Sequence, residues 1–178
     1  MAKRSYPLSK VYGLLEPGPV VLVTTARKGR ANIMTMSWHT MMEFEPPLIG
    51  CVISGRNASF DALKTTRECV LNIPTLALAK QVVGVGNCSG LKVDKFAKFG
   101  LTPVEAAEVQ APLIAECYAS LECRVADTRL VNRYNFFILE VVRAWVDTSV
   151  KQPQTLHHRG NGVFAVAGDT LKLRSAMK

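Results

Sequence analysis

Residues 18–54 read GPVVLVTTARKGRANIMTMSWHTMMEFEPPLIGCVIS, and the fold turns on how this run is read. An apolar strand near Val20 to Thr25, a turn at Arg27-Lys28-Gly29-Arg30 and a long returning strand make a β-hairpin. Pro46 and Pro47 then hold the entry to a third strand, LIGCVIS, extended, because neither can donate to a ladder. Along the returning strand, successive side chains point to opposite faces. Met34, Met36 and Trp38 share one face, expected to pack a barrel or dimer core. Thr35 and Ser37 share the other, where small hydroxyls leave the backbone approachable by the polar edge of a flat heteroaromatic ligand. His39 lies past that edge and is given a structural role.

Working outward, NASFDALKTTRE predicts a short helix capped by Asn57 or Ser59, with Phe60, Leu63 and Lys64 at helical spacing. CVLNIP is a strand ended by Pro74, and LALAKQVVGVG a second helix. Residues 101–112 are irregular. Two long strands follow, Glu116 to Arg129 and Tyr134 to Asp147, joined by a turn at Asn132. GVFAVAGDTLKL predicts a hairpin turning at Gly168-Asp169. About seven strands with two or three short helices make a mainly β protein, a barrel rather than a doubly wound sheet.

The 178 residues, 48% hydrophobic and 20% charged, suit one domain spanning 1–178 that buries a core without disulfides or metal. No apolar run reaches the roughly eighteen residues of a membrane span. The start, MAKRSYPLSKVYG, lacks the apolar segment of a secretory signal, so a cytoplasmic location is expected. Five cysteines, an odd number without Cys-x-x-Cys or histidine at metal-ligand spacing, are expected to be reduced and mostly buried. The net charge of +8 points to an anionic partner. Phosphate, acidic protein and nucleic acid all satisfy it. No aromatic-rich recognition motif accompanies the basic excess, which argues against nucleic acid.

Several patterns fail on inspection. GVGNCSG has its last glycine one place late for a dinucleotide fingerprint and follows a helix where a strand is needed. No Gly-x-Ser-x-Gly elbow exists, and the chain has only three histidines. SGRNASF is better: a strand ends at Ser54, Gly55 turns, Arg56 offers a forked cation, and a helix begins at Asn57 to Ser59. Helix N–H groups, hydroxyl and guanidinium together make a phosphate-sized anion site. The alternative is an ordinary cap beside a solvent-facing arginine. SGLKVDKF, with Lys92, Asp94, Lys95 and Phe96, is either a loop closing over a ligand or a helix capped by Asp94 with its lysines in solvent.

In this order, NIMTMSW, PPLIGCVISGRNAS and SGLKVDKF resemble the flavin reductase-like proteins with the FMN-binding split barrel, nearest the flavoredoxin-type branch. LHHRGNGVFAVAGDTL adds to the likeness, which covers about Gly18 to Leu171. The resemblance implies an antiparallel, Greek-key-like split barrel and an FMN at a homodimer interface. The flavin edge would lie on the backbone of Met34, Thr35, Met36, Ser37 and Trp38, with Asn32 in reach. Ser54, Arg56, Asn57 and Ser59 would form the phosphate turn, and Lys92, Asp94, Lys95 and Phe96 the covering loop. It implies an oxidoreductase with no catalytic acid or base and no metal. This would be either an NAD(P)H-dependent flavin reductase taking hydride from NADH or NADPH, or a flavoredoxin-like carrier taking electrons from a redox partner protein. Many flavin reductases of the family have a histidine before a Gly-Glu-Val segment, where this chain reads NRYNFFILEVV, with Tyr134 for the histidine and Leu139 for the glycine. That departure argues against a standard reductase and leaves FMN binding untouched. A non-catalytic split-barrel ligand-binding or sensing module is the alternative.

Overall fold

The hairpin forms as expected: β2 (Val21–Arg27) and β3 (Arg30–Met36) pair in unbroken register, with Arg27 opposite Arg30. Lys28 and Gly29 join them at φ 52° and 73°. Two successive left-handed residues give a two-residue loop the twist its strands need, and glycine adopts that conformation without strain. The computed structural model describes residues 3–11, 18–159 and 161–174.

The returning strand is shorter than expected. β3 stops at Met36, Ser37 and Trp38 turn a corner, and a separate strand β4 (His39–Glu43) pairs with β5 (Leu48–Val52). β6 (Glu68–Ile73), β9 (Ala119–Asp127) and β10 (Phe136–Val146) complete a sheet of order β3-β2-β6-β9-β10-β5-β4, and β1 (Arg4–Tyr6) adds to β10. Every pairing in it is antiparallel. β3 and β4 stand at the two ends of this sheet, yet only Ser37 and Trp38 separate them in sequence. So short a link spans roughly 10 Å. The sheet therefore curls until its ends meet at that corner, while the edges of β3 and β4 never pair, giving a barrel with a split.

Inside lie Val21, Val23, Met34, Met36, Ile49, Cys51, Leu71, Leu121, Phe137 and Leu139. The strand period puts them there: on β10, Phe137, Leu139 and Val141 are buried while the residues between them are only partly covered. Each large side chain so buried contributes about 1.5–3 kcal/mol. Helix α1 (Ala58–Thr66) buries Ser59, Ala62 and Leu63, and its Phe60 meets Phe137 edge-on at 5.5 Å. On the outer face of the hairpin, Leu22 and Ile33 pack with Val82 and Val85 of α2 (Ala79–Gly86) and Phe96 of α3 (Lys95–Phe99).

Three expectations need correction. Trp38 is 71% exposed, because the corner ends the strand alternation that would have turned it inward. The turn at Asn132 is a short helix, α4 (Val131–Tyr134). The terminal hairpin is displaced: β12 (Phe164–Val166) pairs backward with β11 (Leu156–His158), so the turn lies before β12 and residues 167–174 join no strand. Leu156 is in the core and Thr155 bridges to Thr75, which fixes β11 as the available partner. The described residues hold twelve strands, the extra ones including the short pair β7 (Pro103–Val104) and β8 (Leu113–Ile114). All five cysteines are free thiols, and Cys51, Cys69, Cys117 and Cys123 are buried. Burial pushes the Cys117 thiol up to about 12. No described helix is long and apolar enough to cross a membrane.

Candidate functional site

One face of the hairpin changes character along its length. Val21 and Val23 with Met36 and Met34 are barrel core, the next pair on that face is Thr25 opposite Asn32, and the last is Arg27 opposite Arg30. The dry interior thus opens into a polar cleft. Its other wall is the start of α1, where the Ser54 carbonyl accepts from the Asn57 N–H at 2.9 Å and the Ser54 hydroxyl oxygen accepts from the Arg56 N–H at 3.3 Å. Gly55, Arg56, Asn57, Ala58 and Asp61 from this side, and Gly90 and Leu91 from the loop after α2, line the remainder of a cavity of about 260 Å³.

Three arginines, Arg27, Arg30 and Arg56, face this space against one acid, Asp61. Arg30 donates to the Gly90 carbonyl at 2.9 Å. Among the described residues the ion pairs are Arg124 with Glu68 and Arg129 with Asp127, so none of the cleft arginines is neutralised. Asn57 is the N-cap of α1 in extended conformation, yet its side chain makes no bond to the first turn. That turn keeps unpaired N–H groups and a positive helix end beside an unpaired guanidinium, the donor set for a phosphate monoester. Close approach at Gly90 matters as well, since a Cβ there would run into the Asn32 amide.

The other expected site residues divide. Asn32 lines this cleft and Ser59 lies behind it, with the Asn32 amide donating to the Ser59 hydroxyl at 3.0 Å and the Thr25 hydroxyl donating to it at 3.3 Å. Ser59 is fully buried, so it braces the hairpin against α1 from behind. Thr35, on the opposite face of β3, and Ser37, at the corner after it, line a second cleft with Val82, Asn87, His158 and Phe164. The Thr35 hydroxyl is engaged there, donating to the Val82 carbonyl at 2.7 Å. The side chains of Met34 and Met36 are in the core, leaving only their backbone for any ligand.

In the SGLKVDKF loop, Lys92 is exposed, but Asp94 caps α3 by accepting from the Ala97 N–H at 3.2 Å. Lys95 is buried and donates to the Val85 carbonyl at 2.8 Å, and Phe96 is in the outer core. Burial lowers the Lys95 pKa, and the Cys88 thiol partly offsets this. Lys95 is therefore not among lysines left to solvent. His39 bonds through Nε2 to the Pro19 carbonyl at 2.7 Å, and burial lowers its pKa, consistent with the structural role expected of it.

Arg27 and Arg30 as cleft residues went unread in the sequence. Their signal was present: a two-residue turn places its flanking residues opposite one another, and counting back by twos from Met34 puts both on the Asn32 face.

A family model described as the flavin reductase like domain matches residues 14–165. The structure is similar to that of an FMN-binding domain of a flavin reductase-like enzyme from Shewanella baltica OS155, with TM-score 0.92 and 27% identity over 97% of this chain and 98% of that one. The flavoredoxin of Desulfovibrio vulgaris (Miyazaki F) shares the fold, with TM-score 0.81 and 24% identity over 89% of this chain and 91% of its own. YddH of Escherichia coli K12 is 32% identical over 169 residues, 87% of this chain and 89% of that protein.

Proposed function

The chain belongs to the flavin reductase-like domain family, and on that premise we propose that it is an FMN-binding oxidoreductase, acting as an NAD(P)H-dependent flavin reductase or a flavoredoxin-like electron carrier. The observation that carries this reading is the cleft at the start of α1, where the Arg56 and Arg27 guanidinium groups form no ion pair among the described residues and the first turn of the helix has no side-chain cap. Arg56 and the first turn would hold the phosphate, with Ser54 and Asn57 shaping the turn and Lys92 adding charge from the facing loop. Asn32 and the backbone of Met34 to Trp38 would hold the polar edge of the ring. Asp94, Lys95 and Phe96 would act indirectly, by fixing the loop that carries Lys92.

When bound, FMN supplies the hydride and single-electron chemistry. The protein's own part is to bind and orient it at the barrel rim, between the Met34 and Met36 core and the arginines. No side chain is assigned as acid or base: His39 is tied to Pro19, and Tyr134 is half exposed on α4 beneath the Arg133 guanidinium. Tyr134 in place of the family's histidine favours the carrier over the reductase. The protein is placed in the cytoplasm as a homodimer, with NADH, NADPH or a redox protein as electron source.

The test is the visible spectrum of the purified protein and its titration with FMN. Flavin absorption is expected, with affinity reduced about 100-fold in Arg56→Glu, since a lost charge-assisted hydrogen bond costs about 1.5–3 kcal/mol and the new like charge takes the loss to the upper end of that range. A colourless protein that ignores added FMN would overturn the reading. Anaerobic addition of NADH and NADPH then separates the two roles: bleaching by either supports the reductase, and bleaching by neither supports the carrier.

A further inference from the structure

The short helix α4 turns two unlike sides to its surroundings. Val131 is buried, while Leu130 and Tyr134, joined by a helical bond from the Tyr134 N–H to the Leu130 carbonyl at 2.8 Å, are 42% and 53% exposed. Residues four apart on a helix share one side. The Arg133 guanidinium lies over the Tyr134 ring, 5.1 Å from its centre. An aromatic ring, an arginine and a leucine therefore stand together in solvent, and tyrosine and arginine are the side chains that most often anchor protein contacts.

The place of this patch is fixed by the backbone. Asn135 takes φ 55° and ends the helix, and its carbonyl accepts from the Ile53 N–H at 3.0 Å, which holds α4 to the end of β5 three residues before Arg56. From α1, Lys64 donates to the Asn132 side chain at 3.4 Å. The patch thus adjoins the cleft proposed for FMN, with exposed Arg56, Lys64 and Arg133 along its border. None of these three cations forms an ion pair among the described residues, and Asp127 is already taken by Arg129 at 2.6 Å. Against them stands Asp61 of the cleft, so positive charge is in excess.

We propose that this face docks an acidic redox protein that delivers electrons to the flavin. The proposal rests on the carrier form of the reading above and names the chemistry of its partner. An apolar centre with a cationic border matches an apolar patch ringed by carboxylates. In a twofold contact between copies of this chain the same cations would face one another, which disfavours a second copy as occupant. A nucleic acid would engage the cations but offer Leu130 nothing apolar to cover it. Two reduced donors, each losing one electron, and two protons from solvent convert one FMN to its dihydro form.

A plant-type ferredoxin, a small acidic one-electron carrier, serves as the probe, with its binding to the full chain read by titration calorimetry at low ionic strength. Lys64→Glu/Arg133→Glu is expected to weaken binding about tenfold or more, and Leu130→Ser/Tyr134→Ser to a similar degree. Arg4→Glu/Lys151→Glu makes the same change of charge beyond the far end of β10, where Arg4 pairs with Val146, and should weaken binding about twofold or less. All six positions are exposed, and circular dichroism checks that the fold is kept. In the FMN-loaded protein, bleaching of the flavin by reduced ferredoxin should slow in the first two variants and not in the third. A ferredoxin that does not bind the unmodified protein, or binds all the variants equally, would overturn the docking face. So would an oligonucleotide that binds more tightly and ignores Leu130→Ser/Tyr134→Ser, or a dimer that this variant dissociates in sedimentation velocity, which would assign the face to a second copy. A protein that holds FMN and ignores the ferredoxin strikes only the docking face, whereas one that holds no FMN strikes the function proposed above whatever the ferredoxin does.

Discussion

Two turns in this molecule begin with the same dipeptide, Ser54-Gly55 and Ser89-Gly90, and both lead into helices, α1 and α3. At the second, nearly every polar group is engaged: Asp94 caps the helix, Lys95 reaches the last turn of α2, and Phe96 is in the core. At the first, Asn57 stands at the cap position without capping, and Arg56 is exposed with no ion pair. One turn holds the scaffold together and the other holds its donors ready for something else. What separates a binding turn from a structural one is whether its donors are already satisfied, which residue type alone does not reveal.

The contrast can be broken by substitutions that read stability against ligand affinity. The largest effect should come from Arg56→Glu, with the roughly 100-fold loss of FMN affinity given above and a change in unfolding free energy of under about 0.5 kcal/mol. A comparable loss of stability would mean Arg56 is structural after all. Lys95→Ala should do the reverse, destabilising by about 2 kcal/mol in urea because the Val85 carbonyl loses a buried donor, while FMN affinity changes little. Next, Asp94→Ala should cost about 1 kcal/mol as a lost cap, and Asn57→Ala well under half of that. Equal effects at the two caps would erase the distinction between the turns.

The smallest effect is one of pH. Burial holds the Lys95 pKa below its ordinary 10.5, so between the folded and ordinary values the unfolded chain binds the proton more strongly than the fold does. Stability from this group therefore rises as pH is raised through that window. The pH slope of urea midpoints up to pH 10.5 should be steeper in the unmodified protein than in Lys95→Met. Identical slopes would show that the lysine titrates as if in solvent.

Much of the fold was legible because it rests on local rules. Lys28-Gly29 fixed the hairpin register, Pro46-Pro47 marked the entry to β5, and helical spacing placed α1 and α2. The errors came where a local pattern had more than one partner to choose from. Phe164 to Val166 alternates equally well toward either neighbour, and only the anchoring of Leu156 and Thr155 decides for β11. The corner at Ser37-Trp38 has no glycine or proline to announce it; it follows from closure of the whole sheet. At the cleft, the position of Arg56 and Asn57 at the start of α1 was legible because a helix start is written in sequence. Thr35 and Asn32 were grouped together although strand alternation puts them on opposite faces, and each faces a different cleft.

β10 is bordered by three strands: β9 along one edge, and β5 and β1 sharing the other. Its residues, Phe136–Val146, come late in the chain, whereas Arg4 to Tyr6, which pair with Val146 to Ala144, come first. During synthesis β1 must therefore wait, unpaired, until β10 has left the ribosome. The hairpin β2–β3 can form at once, but the barrel cannot close around it before β10 arrives. The position of one strand thus makes completion of this fold a late, cooperative event.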